Sequence, residues 1–424
     1  MSEQTPAPTS FQVRLPLLLA ATLAVGMFIG QQLPRYDRHL RILSQESASQ
    51  RGTLDEILRY VEAKYVDSVD LPALRQAALD ALFDQLDPHS AYIPPEERKA
   101  LDEEMQGGFE GIGIEYLMVK DTMQVVAPLA DSPAEKAGLL AGDRIVVVDG
   151  DTVAGIKMDE RATFRLLRGA AGTEVSIGVR RNAEQGLRQY TLRRERIAVK
   201  SVQAAYMLDE RTGYIKVARF NANTYEEFME ALRPLAEQQG LQDLVLDLRG
   251  NPGGYLEECA EMLSQIFPEG KLLVYTKGRT DTRREYKSTG RARFNIQHVA
   301  VLIDEHSASA SEIVAGAVQD HDRGWIIGRR SFGKGLVQEQ YPLSDDGALR
   351  LTIARYYTPS GRCIQRDYKH DDHYGQEAER RLHSGELSDA TKTRPADTTR
   401  FYTGLGRVVY SSGGITPDVF VPLD

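Results

Sequence analysis

Three serines fall on alternate positions, Ser307, Ser309 and Ser311, just after the apolar run Val301-Leu-Ile gives way to small residues and a helical pattern. A strand running into a helix at that point sets hydroxyls beside the unpaired N–H groups of a helix N-terminus, where negative charge on oxygen is stabilised. This is an environment for nucleophilic attack. The same letters also spell a capping box, because in Ser309-Ala-Ser-Glu312 the serine and the glutamate three residues later can satisfy orphan donors in any inert helix. Spacing alone does not choose among the three serines, and His306 beside them reads as incidental.

A second segment, Gly328-Arg-Arg-Ser-Phe-Gly-Lys334-Gly-Leu-Val-Gln338, holds a lysine between two glycines ahead of an apolar strand. Glycines allow close backbone approach, and burial of the ammonium lowers a lysine pKa toward that of a usable base. A phosphate loop of the form G-x-x-x-x-G-K-[ST] fails because Gly335 holds the Ser/Thr position. The third segment, Leu246-Asp-Leu-Arg-Gly-Asn-Pro-Gly-Gly254, is a strand ending in a glycine-rich turn. Its backbone N–H groups can face an oxyanion, or it can be simply a sharp strand-to-helix turn.

The elements that must position these residues follow from hydrophobic periodicity. From 213 onward strands and helices alternate: strands at 213–219, 244–248, 299–303 and 325–327, helices at 224–239, 256–266 and 309–319. Such alternation predicts an α/β core with a mostly parallel sheet, its site at the carboxyl ends of the strands. Residues 366–400, polar and charged, are expected to be a surface excursion before short strands at 408–410 and 419–421. Upstream, Ile57, Leu58, Val61 and Tyr65, then Leu74, Ala77, Leu79 and Leu82, recur at helical spacing, and Asp87-Pro-His-Ser-Ala-Tyr-Ile-Pro-Pro95 breaks the pattern before a charged helix at 96–105. Between 109 and 196 short strands dominate (111–116, 123–127, 144–148, 174–179, 189–192), with a Ser132-capped helix and a second helix at 158–167 closed by Gly169, an α+β module. The domains are therefore 1–45, an N-terminal anchor and linker; 46–106, helical; 107–196, the α+β module; and 197–424, the α/β core. No internal repeats occur.

Composition narrows the function. A net charge of -9 argues against a nucleic-acid binder. Two cysteines, Cys259 and Cys363, give no disulfide framework, and the eight histidines form no ligand spacing, so neither a metal nor another cofactor is expected. Residues 15–30 are apolar apart from Thr22 and follow Arg14. They read as an export signal retained as a membrane anchor, since no small-x-small cleavage site follows, although a spanning helix needs about 17 to 25 residues. Arg35, Arg38 and Arg41 after the run oppose the usual positive-inside bias, so orientation rests on the downstream domains.

Together the segments resemble the carboxyl-terminal processing, or tail-specific, peptidases, which are Ser-Lys proteases with an embedded PDZ domain. The resemblance runs from about residue 53 to the end of the sequence and is carried by Ser307-Ala-Ser-Ala-Ser-Glu312, Ser331-Phe-Gly-Lys-Gly335, Asp247-Leu-Arg-Gly-Asn-Pro-Gly-Gly254, Ala354-Arg-Tyr-Tyr-Thr-Pro-Ser-Gly-Arg362 and Gly413-Gly-Ile-Thr-Pro-Asp418. It implies Ser309 as nucleophile, Lys334 as general base, Gln338 orienting the lysine, and an oxyanion hole from the N–H groups of Ala310 and of Gly253 or Gly254. Gly250 departs from the polar residue that many members carry. The role of Glu312, at the helix start or toward the lysine, is left open by the resemblance.

The 107–196 module resembles a PDZ domain, with Gly111-Ile112-Gly113-Ile114 matching the loop that receives a terminal carboxylate, supported by Ser132-Pro-Ala-Glu-Lys-Ala-Gly138 and Ala141-Gly-Asp-Arg-Ile145. Arg168, after the second helix, can supply charge to a ligand or to the protease domain. The implied function is a serine endopeptidase in the inner membrane, single-pass, with its catalytic domains in the periplasm, that binds protein or peptide substrates by their C-termini. An adaptor or a homo-oligomer is compatible with these letters; nucleic acid is not expected. Two rivals are a membrane-tethered PDZ adaptor and a generic esterase. An adaptor needs no activated nucleophile, and an esterase needs no tail-binding groove.

Overall fold

The computed structural model describes residues 52–157, 166–182, 184–279, 283–369, 374–393, 397–411 and 413–423. The anchor expected over 1–45 lies outside them, and no helix among the described residues is long and apolar enough to cross a membrane. The chain separates into two compact units at residues 81 and 82.

The first unit contains the helix Thr53–Lys64 and most of the helix Leu71–Phe83. Asp55 and Glu56 in the first turn and Lys64 in the last complement the helix dipole of the former. The apolar spacing that predicts these helices does not translate into burial, for neither helix contains a buried residue.

In the second unit, the helix Pro95–Met105 follows a short strand, Ala91–Ile93, which pairs antiparallel with the strand Ala348–Tyr357. This pairing ties residues expected in the helical domain to the core. The small module is closed at its base by Gly108–Gly111 pairing with Glu195–Ala198. Its antiparallel sheet runs Ile114–Met118, Met123–Pro128, Arg144–Val148, Glu174–Arg180, Arg188–Arg193, with Asp151–Thr152 beside the third strand. Ile112, Val125, Ile145 and Ile177 fill its interior. Ser132 caps the helix Pro133–Lys136, accepting the Glu135 N–H at 3.2 Å. Most of the helix expected over 158–167 lies outside the described residues.

The core contains two sheets. In the six-stranded one, the order is Val202–Met207, Thr212–Val217, Asp243–Asp247, His298–Ile303, Trp325–Gly328, Val419–Phe420; every pairing is parallel except the first. The helices Thr224–Gln238, Leu256–Leu263 and Ala310–Asp320 share its apolar interior through Phe228, Met262 and Val314. Because three neighbouring strands, Asp243–Asp247, His298–Ile303 and Trp325–Gly328, point the same way, the glycine turn, the serine segment and the lysine loop all leave the sheet at one edge.

The second sheet is antiparallel. It joins Ala91–Ile93, Ala348–Tyr357, Leu272–Gly278 and Arg284–Lys287, with Leu336–Pro342 also on Ala348–Tyr357. Strand-helix alternation does not foretell it, since its members come from distant stretches and pair only once the chain has folded. The expectation of a surface excursion at 366–400 holds only in part: most described residues there are exposed or half-buried, but the stretch is anchored from within. Arg366, Tyr374, Glu377, Arg381 and Leu387 are buried there, and the helix Glu377–Ser384 is fastened to the core by ion pairs. Charges go inside because they meet partners: Glu377 faces Arg330, Arg366 and Arg381 at 3.6, 3.5 and 2.8 Å.

Candidate active site

Ser309 stands at the N-cap of the helix Ala310–Asp320 with φ 54° and ψ -113°. A non-glycine residue in that region is strained by on the order of 1–3 kcal/mol and persists only where surrounding contacts enforce it. Its two rivals are fully buried and occupied by structural bonds. Ser307 Oγ donates to Leu248 O at 2.8 Å and accepts the Asp304 N–H at 2.9 Å, and Ser311 Oγ donates to Asn251 O at 3.0 Å. Ser309 is partly exposed. His306 points outward, its side chain 62% exposed.

Glu312, three residues on, is completely buried and accepts four hydrogen bonds. Its Oε2 takes the N–H of Ser309 at 2.9 Å and of Lys334 at 2.8 Å; its Oε1 takes the N–H of Gly333 at 2.7 Å and Ser331 Oγ at 2.5 Å. Complete burial pushes its carboxyl up to about 7, while the four donors pull the other way. The predicted capping box is present, and its carboxylate also holds the lysine loop.

The loop has further ties. Ser331 N–H donates to Ile415 O at 3.0 Å, Arg381 Nη1 donates to the carbonyls of Arg330 and Ser331 at 2.9 Å each, and Arg366 N–H meets Gly333 O at 3.0 Å. Gln365 Oε1 accepts the Gly335 N–H at 2.8 Å. Tyr356 Oη, buried, lies 2.6 Å from Lys334 O and 3.1 Å from Ser309 O, a second tie between the two segments. Lys334 Nζ donates to Gln338 Oε1 at 3.1 Å. Burial, then the Arg350 charge, holds Lys334 below its ordinary value, against the opposite pull of Glu312 and Asp87.

The glycine turn lies against the Ser309 segment. A side chain on Gly253 would come within 2.7 Å of Ser309 Cβ and 2.9 Å of Ala310 N, and one on Gly254 within 2.0 Å of Phe220 O, so both positions require glycine. Their φ values, 99° and 141°, say the same. Of the candidate oxyanion donors, the Gly253 N–H is already bonded to Asn251 Oδ1 at 2.8 Å. Ala310 is the first residue of its helix, where an N–H has no intrahelical acceptor. Asn251, buried, also receives Ala308 N–H and Ser311 Oγ on its carbonyl and donates to Val217 O, and so sets the turn against the helix. Sequence reasoning passed over Asn251, Tyr356, Arg366 and Arg381; the only signal was the presence of the first two within segments already singled out.

In the small module, Gly113 turns with φ 76°, its carbonyl accepting Leu129 N–H at 2.9 Å and Ser132 Oγ at 3.0 Å. Ile112 is buried in the module core, and Gly111 bridges to Arg168. Ile114–Met118 is an edge strand of the sheet among the described residues, its other neighbour being Met123–Pro128. Arg168 donates to Glu103 Oε2 at 3.2 Å and stacks over Phe109, with 4.5 Å from its guanidinium carbon to the ring centre. The described residues contain no group of His, Cys, Asp and Glu with metal-site geometry.

The sequence matches Peptidase family S41 over residues 211–373 and the PDZ domain over residues 124–181. It is 38% identical over 326 residues to a carboxy-terminal-processing protease of Bartonella bacilliformis, covering 76% of this chain and 74% of that protein. It is 32% identical over 351 residues to the carboxy-terminal processing protease CtpB of Bacillus subtilis, covering 80% and 72%. The solved photosystem II D1 C-terminal processing protease aligns with 87% of this chain and 92% of its own, at 28% identity and a TM-score of 0.44. With a strained serine and a partly buried lysine tied by one carboxylate, and relatives of this extent, the chain belongs to the carboxy-terminal processing proteases of peptidase family S41 and is a serine-type peptidase with a PDZ domain.

Proposed function

We propose that Ser309 is the nucleophile and Lys334 the general base of this peptidase, and that the PDZ domain recruits substrates by their C-terminal tails. The neutral lysine takes the Ser309 hydroxyl proton as Oγ bonds to the scissile carbonyl carbon, and Gln338 aligns the lysine through its carbonyl. Negative charge gathering on the substrate oxygen meets the N–H of Ala310 and of Gly254; a Gly253 contribution requires release of its bond to Asn251. The C–N bond then breaks, the lysine ammonium returns its proton to the leaving amine, and water resolves the acyl-enzyme with Lys334 again as base.

The observation that carries this reading is that Ser309 alone of the three serines is accessible while its backbone and that of Lys334 share one carboxylate oxygen. Treatment with a serine-directed phosphonylating reagent, followed by peptide mass mapping, is expected to give an adduct on Ser309. An adduct on Ser307 or Ser311 overturns the assignment.

Tail recruitment is supported by the edge strand Ile114–Met118, to which an extended peptide can add, beside the Gly111 to Ile114 turn. Residues 15–30 support export with the segment retained as an anchor and the catalytic domains outside the cytoplasm. Digestion of intact spheroplasts with an added protease tests it: the chain is expected to be degraded, and full protection rejects that location.

A further inference from the structure

The turn from Asp87 to Ser90, marked in the sequence only as a break between helices, lies against the strand Ala348–Tyr357. Asp87 Oδ1 accepts the N–H groups of His89 and Ser90 and the hydroxyl of Thr352, each at 3.0 Å, and Oδ2 accepts Ser90 Oγ at 2.6 Å. Arg350 Nε donates to His89 O at 3.1 Å. Arg350 and Thr352, two apart on one strand, share a face, and Thr352 is the cross-strand partner of Gln338, which holds Lys334 Nζ. The turn, Arg350 and the lysine are thereby drawn to one place. Among the described residues no carboxylate pairs with Arg350, and Asp87 is occupied by four donors, none of them Lys334.

We propose that Arg350 and Asp87 are positioning residues of opposite sign, whose charges act on Lys334 and together set the pH above which it can accept the Ser309 proton. The inference rests on Lys334 being the base. A base must be neutral to work, yet two carboxylates, Glu312 and Asp87, favour its charged form; Glu312 cannot be dispensed with, because it holds the backbone of both segments. Burial of the ammonium opposes them, and a cation beside it adds to that opposition. After burial, the Arg350 charge lowers the affinity of Lys334 for a proton, while Glu312 and Asp87 raise it. His89, in the same turn, is kept neutral by burial and by Lys334, which hold it at about 4, and its Nε2 sits 3.0 Å from Tyr374 Oη. The remaining groups packed here are Gln338 on the lysine's own segment, Tyr356, and Arg366 stacked on Tyr374.

The test is the pH dependence of kcat/KM for a short peptide in the full chain. Arg350→Met is expected to move the acid-side midpoint upward by about half a pH unit or more, and Asp87→Asn to move it downward by a similar amount, with Arg350→Lys close to the parent. Variants that lose rate equally at every pH, or midpoints that move in the same direction, overturn the proposal. Should thermal melting show that Asp87→Asn does not fold, the Arg350→Met midpoint and its restoration in Arg350→Lys decide alone. The underlying reading is tested apart from this: an active Lys334→Ala removes lysine as the base, whereas an inactive Lys334→Ala with an unmoved Arg350→Met midpoint rejects only the role of Arg350.

Discussion

Ser309 and Lys334 are joined through a single atom, since Glu312 Oε2 accepts the backbone N–H of the first at 2.9 Å and of the second at 2.8 Å. All four groups around this carboxylate are donors, so the site demands an acceptor and nothing else. Tyr356 makes the complementary tie, its hydroxyl lying between the carbonyls of the same two residues. Ser309 and Lys334 are therefore spaced by buried groups on both edges of their backbones.

Glu312→Gln is nearly isosteric, but it turns an amide NH2 toward backbone donors. It is expected to lose on the order of 2–4 kcal/mol of stability and most of the peptidase activity, read by urea unfolding and peptide cleavage. A variant with parental stability and kcat removes the carboxylate's role in spacing the two segments.

Ser309→Ala and Lys334→Ala are each expected to fold and to lose nearly all activity, and the double variant to be no worse than either single one, because the two act as a unit. Activity in Lys334→Ala within tenfold of the parent contradicts the assignment.

Activity is expected to rise with pH through the titration of Lys334, whose proton affinity burial lowers from the ordinary 10.5. For stability, the unfolded lysine binds a proton more tightly than the folded one, so the burial cost is complete below the folded pKa and fades as pH rises toward 10.5. Glu312 has the opposite sign. Its folded value, raised to about 7, makes its cost absent below 4.5 and complete above about 7. Urea unfolding should show the stability of the parent gaining on that of Lys334→Met between neutral and alkaline pH; a constant difference rejects a depressed lysine.

Arg381→Leu removes both bonds to the carbonyls of Arg330 and Ser331 and leaves Glu377 short of a buried partner. A loss of about 3–5 kcal/mol is expected, together with a fall in kcat as the lysine loop loosens. A surface-like effect below about 0.5 kcal/mol, measured by denaturant unfolding, is incompatible with this arrangement.

A peptide with an amidated C-terminus is expected to bind the PDZ domain more weakly and to be cleaved more slowly than its free acid, because the terminal charge that backbone donors would recognise is gone. Equal binding and cleavage reassign the module to another role and leave Ser309 and Lys334 untouched. Bulky substitution of Gly113 is a poor probe of the groove, since its new side chain would come within 2.3 Å of Ser132 Cβ and disturb the cap of the Pro133–Lys136 helix.

What the sequence alone determined was local: the alternating strands and helices of the parallel sheet, the glycines at 253 and 254, the helix beginning after Ser309, and the lysine between glycines. These follow from periodicity and from backbone angles that few residues tolerate, both properties of neighbouring letters. Tertiary structure decided which serine is accessible, because the acceptors that bury Ser307 and Ser311 are Leu248 O and Asn251 O, on another strand's turn. It also decided that Glu312 serves the lysine loop as well as its own helix, that the Asp87 turn lies beside Lys334, and that Arg366 and Arg381 within the charged stretch are buried. Composition alone would put those charges in water. A buried polar group is stable only where long-range partners complete its hydrogen bonds, and those partners exist only after the distant segments have met.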